Sequence, residues 1–374
     1  MNFSFSDEQE AVRDLAARIF ADNTSHERNQ ALEKSGEWHD RALWAELSKA
    51  NLSAIALPEA IGGGGYSIFE TCILLEQQGR HLAPVPLVPT LLLAGLPLAQ
   101  FGTQEQQERW LRPVAESGTI LTGALHEANG MLPSTPMTRA VRDGDGWRIS
   151  GTKLAVPAAD LAEVLLIPAR TDDGVGVFLV EPSAPGVSLE RQITTNREPQ
   201  SQVVLDGVTL AADARLGEPG SDVSGWLFEH ASVGLCALQL GIAEEALRRT
   251  AVYTTDRKQF GVPIGSFQGV QVRAADAFID VEAMRSTLWQ AAWRLAAGRP
   301  AARHVSAARW WASMGGHRVT HAAQHLHGGI GSDVEYPIHR FMLWAKQVER
   351  TLGGATPETV RLGKIVLDEA AERA

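Results

Sequence analysis

The chain has 374 residues, 44% hydrophobic and 21% charged, with a formal net charge of −10. That composition is globular, supplies ample apolar material for a core, and at this length predicts two or three domains. No run of Lys or Arg is long enough to neutralise a track of phosphates, which excludes nucleic acid as a partner but not a small anionic ligand at a local basic site. The only cysteines, Cys72 and Cys236, fall in apolar helical patterns and read as reduced core residues of a reducing compartment. The start, MNFSFSDEQEAVRDLAARIF, lacks a basic region followed by an apolar stretch, so it is not read as a signal peptide. The stretch Pro89 to Phe101 reads as the longest apolar one and is too short to span a bilayer. The expectation is a soluble cytoplasmic protein without a membrane partner.

Residues 1–120 read as an α-helical domain. Ser6, followed by Gln9 at the third helical position, is a capping-box signature. Phe5, Val12, Leu15, Ala16, Ile19 and Phe20 then recur at helical spacing. Further helices are expected over Asp40 to Ala50 and Ser67 to Gly79, separated by the breaker Leu57-Pro-Glu-Ala-Ile-Gly-Gly-Gly-Gly65. Residues 121–222 change character. Short apolar runs beginning at Trp147, Glu163, Val177 and Gln202 lie between Gly, Pro, Asp and Thr, and succeed one another without helices. That pattern predicts a small β-barrel or sandwich. From 223 onward the period is helical again. A buried helix is expected over Trp226 to Thr255, followed by Val272 to Ala297, Ala301 to His325 and Pro357 to Arg373. Four long helices with short connections suggest an antiparallel four-helix bundle. The fold class is therefore α+β: helical domain, β domain, helical bundle.

Three segments carry a family resemblance. They are Ala56-Leu-Pro-Glu-Ala-Ile-Gly-Gly-Gly-Gly-Tyr-Ser67, Arg257-Lys-Gln-Phe-Gly-Val-Pro-Ile-Gly-Ser-Phe-Gln268, and His327-Gly-Gly-Ile-Gly with Glu335-Tyr-Pro and Arg340 after it. In order and spacing over the whole chain they resemble the acyl-CoA dehydrogenase family. The resemblance implies an FAD held at a subunit interface and an acyl-CoA oxidised to the 2,3-enoyl-CoA. A base removes the α-proton and a hydride leaves the β-carbon for the flavin. It also implies that Arg257 reaches the diphosphate, for which a guanidinium fork is suited. Phe260 and Phe267 would lie against the dinucleotide and Gln268 would hydrogen-bond it. Gly328 and Gly329 would let backbone N–H groups approach closely, since no Cβ stands in the way. Taken singly, Arg257 could be a helix-end charge and Gly328-Gly329 a helix stop. Their joint order and spacing favours the functional reading.

The departures from the family pattern are equally informative. The usual base position near the C-terminus is Leu352, followed by Gly353. The alternative base position on the preceding helix is Ala231. Neither can accept a proton, so no catalytic residue is identified. Glu229 lies two residues away, about 200° round a helix. Beside the flavin ring the family has Thr-Glu-Pro-Gly-x-Gly-Ser, where this chain has His126-Glu-Ala-Asn-Gly-Met-Leu. The ring-packing Trp and Thr are replaced by Ala155 and Pro157. The Gln ahead of the glycine pair is replaced by His325, with Gln324 one step earlier.

The adenosine clamp is thus kept, while the ring contacts and the base are not. This resembles the base-less subunit of bacterial heteromeric (α2β2) members, in which a paralogous chain supplies the base. Such members act on bulky thioesters, including steroid side chains, and an electron-transfer flavoprotein is the expected acceptor. Two alternatives are a self-sufficient flavoenzyme with a relocated base, such as Glu229 or His126, and a non-catalytic stabilising partner. His317, His321 and His325 share one helical face, but without an H-E-x-x-H pattern, and no metal is expected. The ten Trp residues, among them Trp289, Trp293, Trp310 and Trp311, read as core and interface packing. Glycines 62–65 lack the preceding strand and following Lys-Ser/Thr of a P-loop and read as a turn.

Overall fold

A computed structural model describes residues 4–128 and 135–371. Twelve α-helices among them are α1 (Asp7–Asn23), α2 (His26–Ser35), α3 (Arg41–Lys49), α4 (Ile68–His81), α5 (Leu96–Phe101), α6 (Gln104–Trp110), α7 (Arg112–Ser117), α8 (Val223–Asp256), α9 (Gln268–Ala296), α10 (Ala302–His327), α11 (Ile338–Arg350) and α12 (Ala355–Ala371). The backbone groups into two compact units, one of Met1–Gln30, Cys72–Ala83 and Ser232–Ala374, the other of Ala31–Thr71 and Pro84–Ala231.

In the second unit an eight-stranded sheet is built from β1 (Thr122–Gly123), β2 (Arg139–Asp143), β3 (Gly146–Pro157), β4 (Leu165–Thr171), β5 (Gly174–Val180), β6 (Val187–Ile193), β7 (Pro199–Leu210) and β8 (Arg215–Leu216). Its order is β6-β7-β3-β2-β4-β5-β8, with β1 paired in parallel to β4. Three of the four apolar runs read from the sequence lie wholly in strands of this sheet, and the fourth, beginning at Glu163, enters β4 at Leu165. Their inward residues, including Ile149, Ile167, Phe178 and Val203, form its core. An ion pair is buried there. Lys153 Nζ donates to Glu127 Oε1 at 2.7 Å and to the Pro168 carbonyl at 2.8 Å, and Glu127 also accepts from the Thr138 hydroxyl and amide. A π-helix, Val88–Gly95, apolar but for Thr90, precedes α5.

The first unit is helical. The expected capping box is present: the Ser6 hydroxyl accepts from the Gln9 amide, and the Gln9 side chain accepts from the Ser6 amide. α10 is its central helix and packs on α9, α11 and α12. α4 and α8 approach backbone to backbone, because a Cβ on Gly79 would lie 2.1 Å from the Leu238 carbonyl and one on Gly241 1.9 Å from the Glu76 carbonyl.

The four long helices expected from the sequence are in place. A fifth, α11, joins them, driven by a stripe of Ile338, Phe341, Trp344, Ala345 and Val348. α9 begins four residues before the expected Val272, running straight on from Phe267. Pro89 to Phe101 is not the longest apolar segment. α8 alone is long and apolar enough to cross a membrane among the described residues, and 89% of its apolar window is buried inside the protein. Cys72 and Cys236 are both buried free thiols.

Candidate functional site

The Arg257 to Gln268 segment forms a hairpin leading into a helix. β9 (Lys258–Gln259) and β10 (Val262–Pro263) pair antiparallel. The two residues between them, Phe260 and Gly261, have φ of 54° and 83°, the double positive-φ turn that matches the twist of a hairpin. A bulky residue rarely takes that conformation, and here it points Phe260 into solvent, with 93% of its surface exposed. Phe267, the N-cap of α9, meets Phe260 edge to face with ring centroids 6.3 Å apart. Gln268 opens α9, whose first turn presents the positive end of the helix dipole. The exposed Arg257 side chain has no ion-pair partner among the described residues. Its backbone is fixed, with its amide donating to the Tyr253 carbonyl at 2.9 Å and its carbonyl accepting from Ile264 at 2.8 Å.

The second half of the clamp is the turn after α10. Gly328 takes φ 66° and ψ −145°, a conformation closed to residues with a Cβ. A Cβ built on Gly328 or Gly329 would meet nothing of this chain within 4 Å, so both face open space. Gln324 is spent inside the turn, its amide donating to the Gly331 carbonyl at 3.2 Å. His325 stands exposed at the helix end.

The two halves are joined by Tyr253, which the sequence motifs did not single out, with His327 and Tyr336 of the third motif. Tyr253 stacks on His327, and Tyr336 closes the cluster at 5.5 Å from His327. With Arg248, Arg249 and Asp256 they line a hollow of about 250 Å³. Tyr253 is one helical turn before Arg257, a spacing that the motif itself offers as a signal. These residues suit a dinucleotide: an unspent guanidinium, exposed aromatic faces, and glycines bordering space that a side chain would fill.

The base positions lie apart in character. Leu352 is half-buried at φ 59° in the turn between α11 and α12. Ala231 is fully buried. Glu349, the carboxylate nearest Leu352 in sequence, is engaged. Burial opposes its charge, but Lys346 at 2.9 Å and His317 at 3.3 Å hold it below the usual carboxylate range. His317 lies beside His321, ring centroids 4.3 Å apart, with the Lys346 ammonium against it. Among the described residues no three His, Cys, Asp or Glu converge as metal ligands.

In the sheet unit, His126 is exposed and bridges Leu154, and Glu229 is half-buried. Residues 129–132 of the His126–Leu132 stretch lie outside the described residues. Ala155 and Ala158 take φ of 50° and 52°, where β3 slips register against β7. The Ala155 amide donates to the Gln192 side chain at 3.1 Å, and Pro157 ends the strand. Beside this strand end, where the Ala158 amide donates to the Pro199 carbonyl at 2.9 Å, sits Glu198. Burial pushes its carboxyl up to about 7, against the opposing hydrogen bond from Gln200. No sequence motif marked it, because desolvation is a property of the fold.

Comparison with known proteins shows the family. Residues 6–118 match the acyl-CoA dehydrogenase N-terminal domain and residues 218–361 the C-terminal domain. Acyl-CoA dehydrogenase FadE27 of Mycobacterium tuberculosis is 38% identical, over 99% of this chain and 100% of its own. The chain belongs to the acyl-CoA dehydrogenase family. This dehydrogenase fold superposes on the Tcur3481-Tcur3483 steroid ACAD G363A variant with a TM-score of 0.92, at 46% identity over 98% of this chain and 99% of the other. It superposes on the ChsE4-ChsE5 complex from Mycobacterium tuberculosis with a TM-score of 0.93, at 38% identity over the same shares. The family consists of oxidoreductases acting on acyl-CoA.

Proposed function

We propose that this chain is the base-less subunit of a heteromeric, FAD-dependent acyl-CoA dehydrogenase. It supplies the adenosine and diphosphate side of a shared FAD site, while a paralogous chain supplies the base and the ring contacts, in an α2β2 assembly. The observation that carries the proposal is the pairing of an intact, outward-facing clamp with Leu352 and Ala231 at both base positions. Exposing an aromatic as fully as Phe260 is costly in water unless something covers it.

Arg257 would hold the diphosphate, Phe260, Phe267 and His325 would flank the dinucleotide, and Gln268 with the Gly328-Gly329 backbone would hydrogen-bond it. FAD, when bound, supplies hydride acceptance from the substrate β-carbon. The general-base step, worth roughly 10²–10⁴-fold, falls to the partner. Two solved relatives named above carry paired names, one a complex and one a steroid ACAD, which supports a paralogous partner and a steroid-type thioester. An FAD complex of PigA shares the fold at 22% identity and a TM-score of 0.89. A solved neighbour, the electron transferring flavoprotein of Acidaminococcus fermentans, supports that class of acceptor. The same reading divides the chain at residues 120 and 222 and places it in the cytoplasm.

The test is flavin content by visible absorbance, for the chain purified alone and co-purified with its nearest paralogue. A colourless chain and a complex with one FAD per pair of chains is the expected result. A yellow chain with one FAD of its own overturns the shared site and makes Glu198 the first base to replace.

A further inference from the structure

We propose that the hollow beside the clamp binds an adenine base, whose exocyclic amine donates to Nε2 of His327. The hollow, about 250 Å³, is lined by His327, Tyr253, Tyr336, Arg248, Arg249 and Asp256, with the exposed Val252 beside them. His327 itself is only 3% exposed. Its Nδ1 lies 2.7 Å from the Ala323 carbonyl, which can only accept, so Nδ1 holds the proton. Burial keeps the imidazole below its ordinary range and therefore neutral, which leaves Nε2 as a bare lone pair. Nε2 is buried and has no hydrogen-bond partner among the described residues. Tyr253 covers one face of the ring, centroids 4.3 Å apart, and Tyr336 leans against it at 5.5 Å. The remaining edge of the imidazole is thus an acceptor in need of a donor, and a buried acceptor left bare costs free energy.

The rest of the hollow selects the kind of donor. Arg248 and Arg249 both hold Glu245, at 2.7 and 2.8 Å, and Asp256 lines the same hollow, so two cations meet two carboxylates. No surplus charge is left for a free ion, and the group that enters is neutral. At about 250 Å³ the hollow is smaller than the roughly 300–1,000 Å³ of a pocket for a whole ligand, and it suits one planar base. Tyr253, Tyr336 and the guanidinium planes offer such a base flat surfaces to lie on.

Among purines, adenine presents an amine at C6 and donates to Nε2. Guanine and hypoxanthine present a carbonyl there, which sets lone pair against lone pair. Adenine N1 and N7 accept from the arginine N–H groups that Glu245 leaves free, since it takes only Nε and Nη2 of Arg248 and Nε of Arg249. Arg257 follows Tyr253 by one helical turn and Gly328 follows His327 directly, so the hollow adjoins the clamp. The base is then either that of the shared FAD, an assignment resting on the function proposed above, or that of a separate adenine nucleotide.

ADP and IDP are the probes, since they differ at C6 of the base. Binding of each to the full-length chain, and to its complex with the paralogue, is measured by calorimetry. The expected result is saturable ADP binding, roughly tenfold tighter than that of IDP, as an unpaired buried acceptor implies. His327→Phe keeps a ring against Tyr253 but removes the acceptor, and should make the two nucleotides bind alike. Val252→Trp fills the hollow from an exposed position and should abolish ADP binding. No saturable ADP binding, equal affinities for ADP and IDP, or a preference that persists in His327→Phe overturns the proposal. Should His327→Phe fail to fold, Val252→Trp decides, and ADP binding unchanged in that variant overturns it equally. The FAD-loaded complex reads the source of the base: loss of the ADP site there assigns it to FAD, and an undiminished site assigns it to a separate nucleotide. A chain that purifies yellow by itself would end the shared-site reading and leave the ADP–IDP comparison, made on its deflavinated form, unaffected.

Discussion

Tyr253 lies on His327 with ring centroids 4.3 Å apart and 23° between the planes, and its hydroxyl donates to the His327 carbonyl at 3.3 Å. Through this stack the end of α8, which holds the Arg257 amide, is fixed against the end of α10, which leads into Gly328. Burial also keeps the His327 imidazole below its ordinary range, so the pair stacks in the neutral form. The two halves of the clamp, 71 residues apart in sequence at Arg257 and Gly328, are therefore packed against each other.

Tyr253→Phe should leave flavin retention in the complex nearly unchanged, because the stack persists and one long hydrogen bond is lost. Tyr253→Leu should weaken retention several-fold, since it removes the ring-on-ring contact worth about 0.5–1.5 kcal/mol. Flavin released on dilution, followed by fluorescence, separates the two. Equal effects of both changes would show that the hydroxyl, not the ring, sets the geometry.

Arg257→Ala should reduce FAD affinity of the complex by roughly 10–100-fold, the worth of a charge-assisted hydrogen-bonded contact. Arg257→Lys should recover only part of it, because an ammonium lacks the guanidinium fork. Titration of the deflavinated complex with FAD measures both. An unchanged affinity in Arg257→Ala would remove this residue from the clamp and favour a purely stabilising role for the chain.

Much of this arrangement is legible in the sequence, for definite physical reasons. Helical periodicity placed α8, α9, α10 and α12, and apolar runs between turn residues fell in strands of the sheet. α11 went unread although Ile338, Phe341, Trp344 and Val348 carry the period. The clamp residues are contiguous in two motifs and so could be read. Tyr253 and Glu198 could not, because their importance comes from partners, or missing partners, distant in sequence. The strain at Ala155 and Ala158 was equally hidden, since alanine gives no hint of a positive φ.

Lys153 and Glu127 form a buried pair whose loss should be severe. Lys153→Met leaves a carboxylate buried without its cation and should cost about 3–5 kcal/mol. Burial opposes the Glu127 charge, but Lys153, Thr138 and the Met137 amide together hold its carboxyl down at about 2, while burial pulls Lys153 below its ordinary value. A depressed carboxyl pKa gives stability that is present above the unfolded value, near 4.5, and is lost as pH falls towards 2. Urea melts across pH 2–5 should therefore show native stability falling more steeply than that of the double variant Lys153→Met/Glu127→Gln. Parallel curves would assign the acid sensitivity elsewhere.

Glu76 has the opposite sign. Burial first, and the neighbouring Glu244 second, push its carboxyl up to about 7, against Arg285 and Arg80. A raised carboxyl pKa gives stability that is present below the unfolded value of 4.5 and is lost as pH rises through about 7. Glu76→Gln keeps the shape without the ionisation. It should stabilise the protein by about 1–3 kcal/mol at pH 8 relative to the native chain, with the advantage vanishing near pH 4.5. Arg285, 3.2 Å from Glu244 and 3.9 Å from Glu76, keeps its better partner in the variant. Denaturation midpoints at pH 4.5, 6 and 8 check this, and a Gln variant less stable at pH 8 than the native protein would mean that the ionised Glu76 is a net tie between α4 and α9.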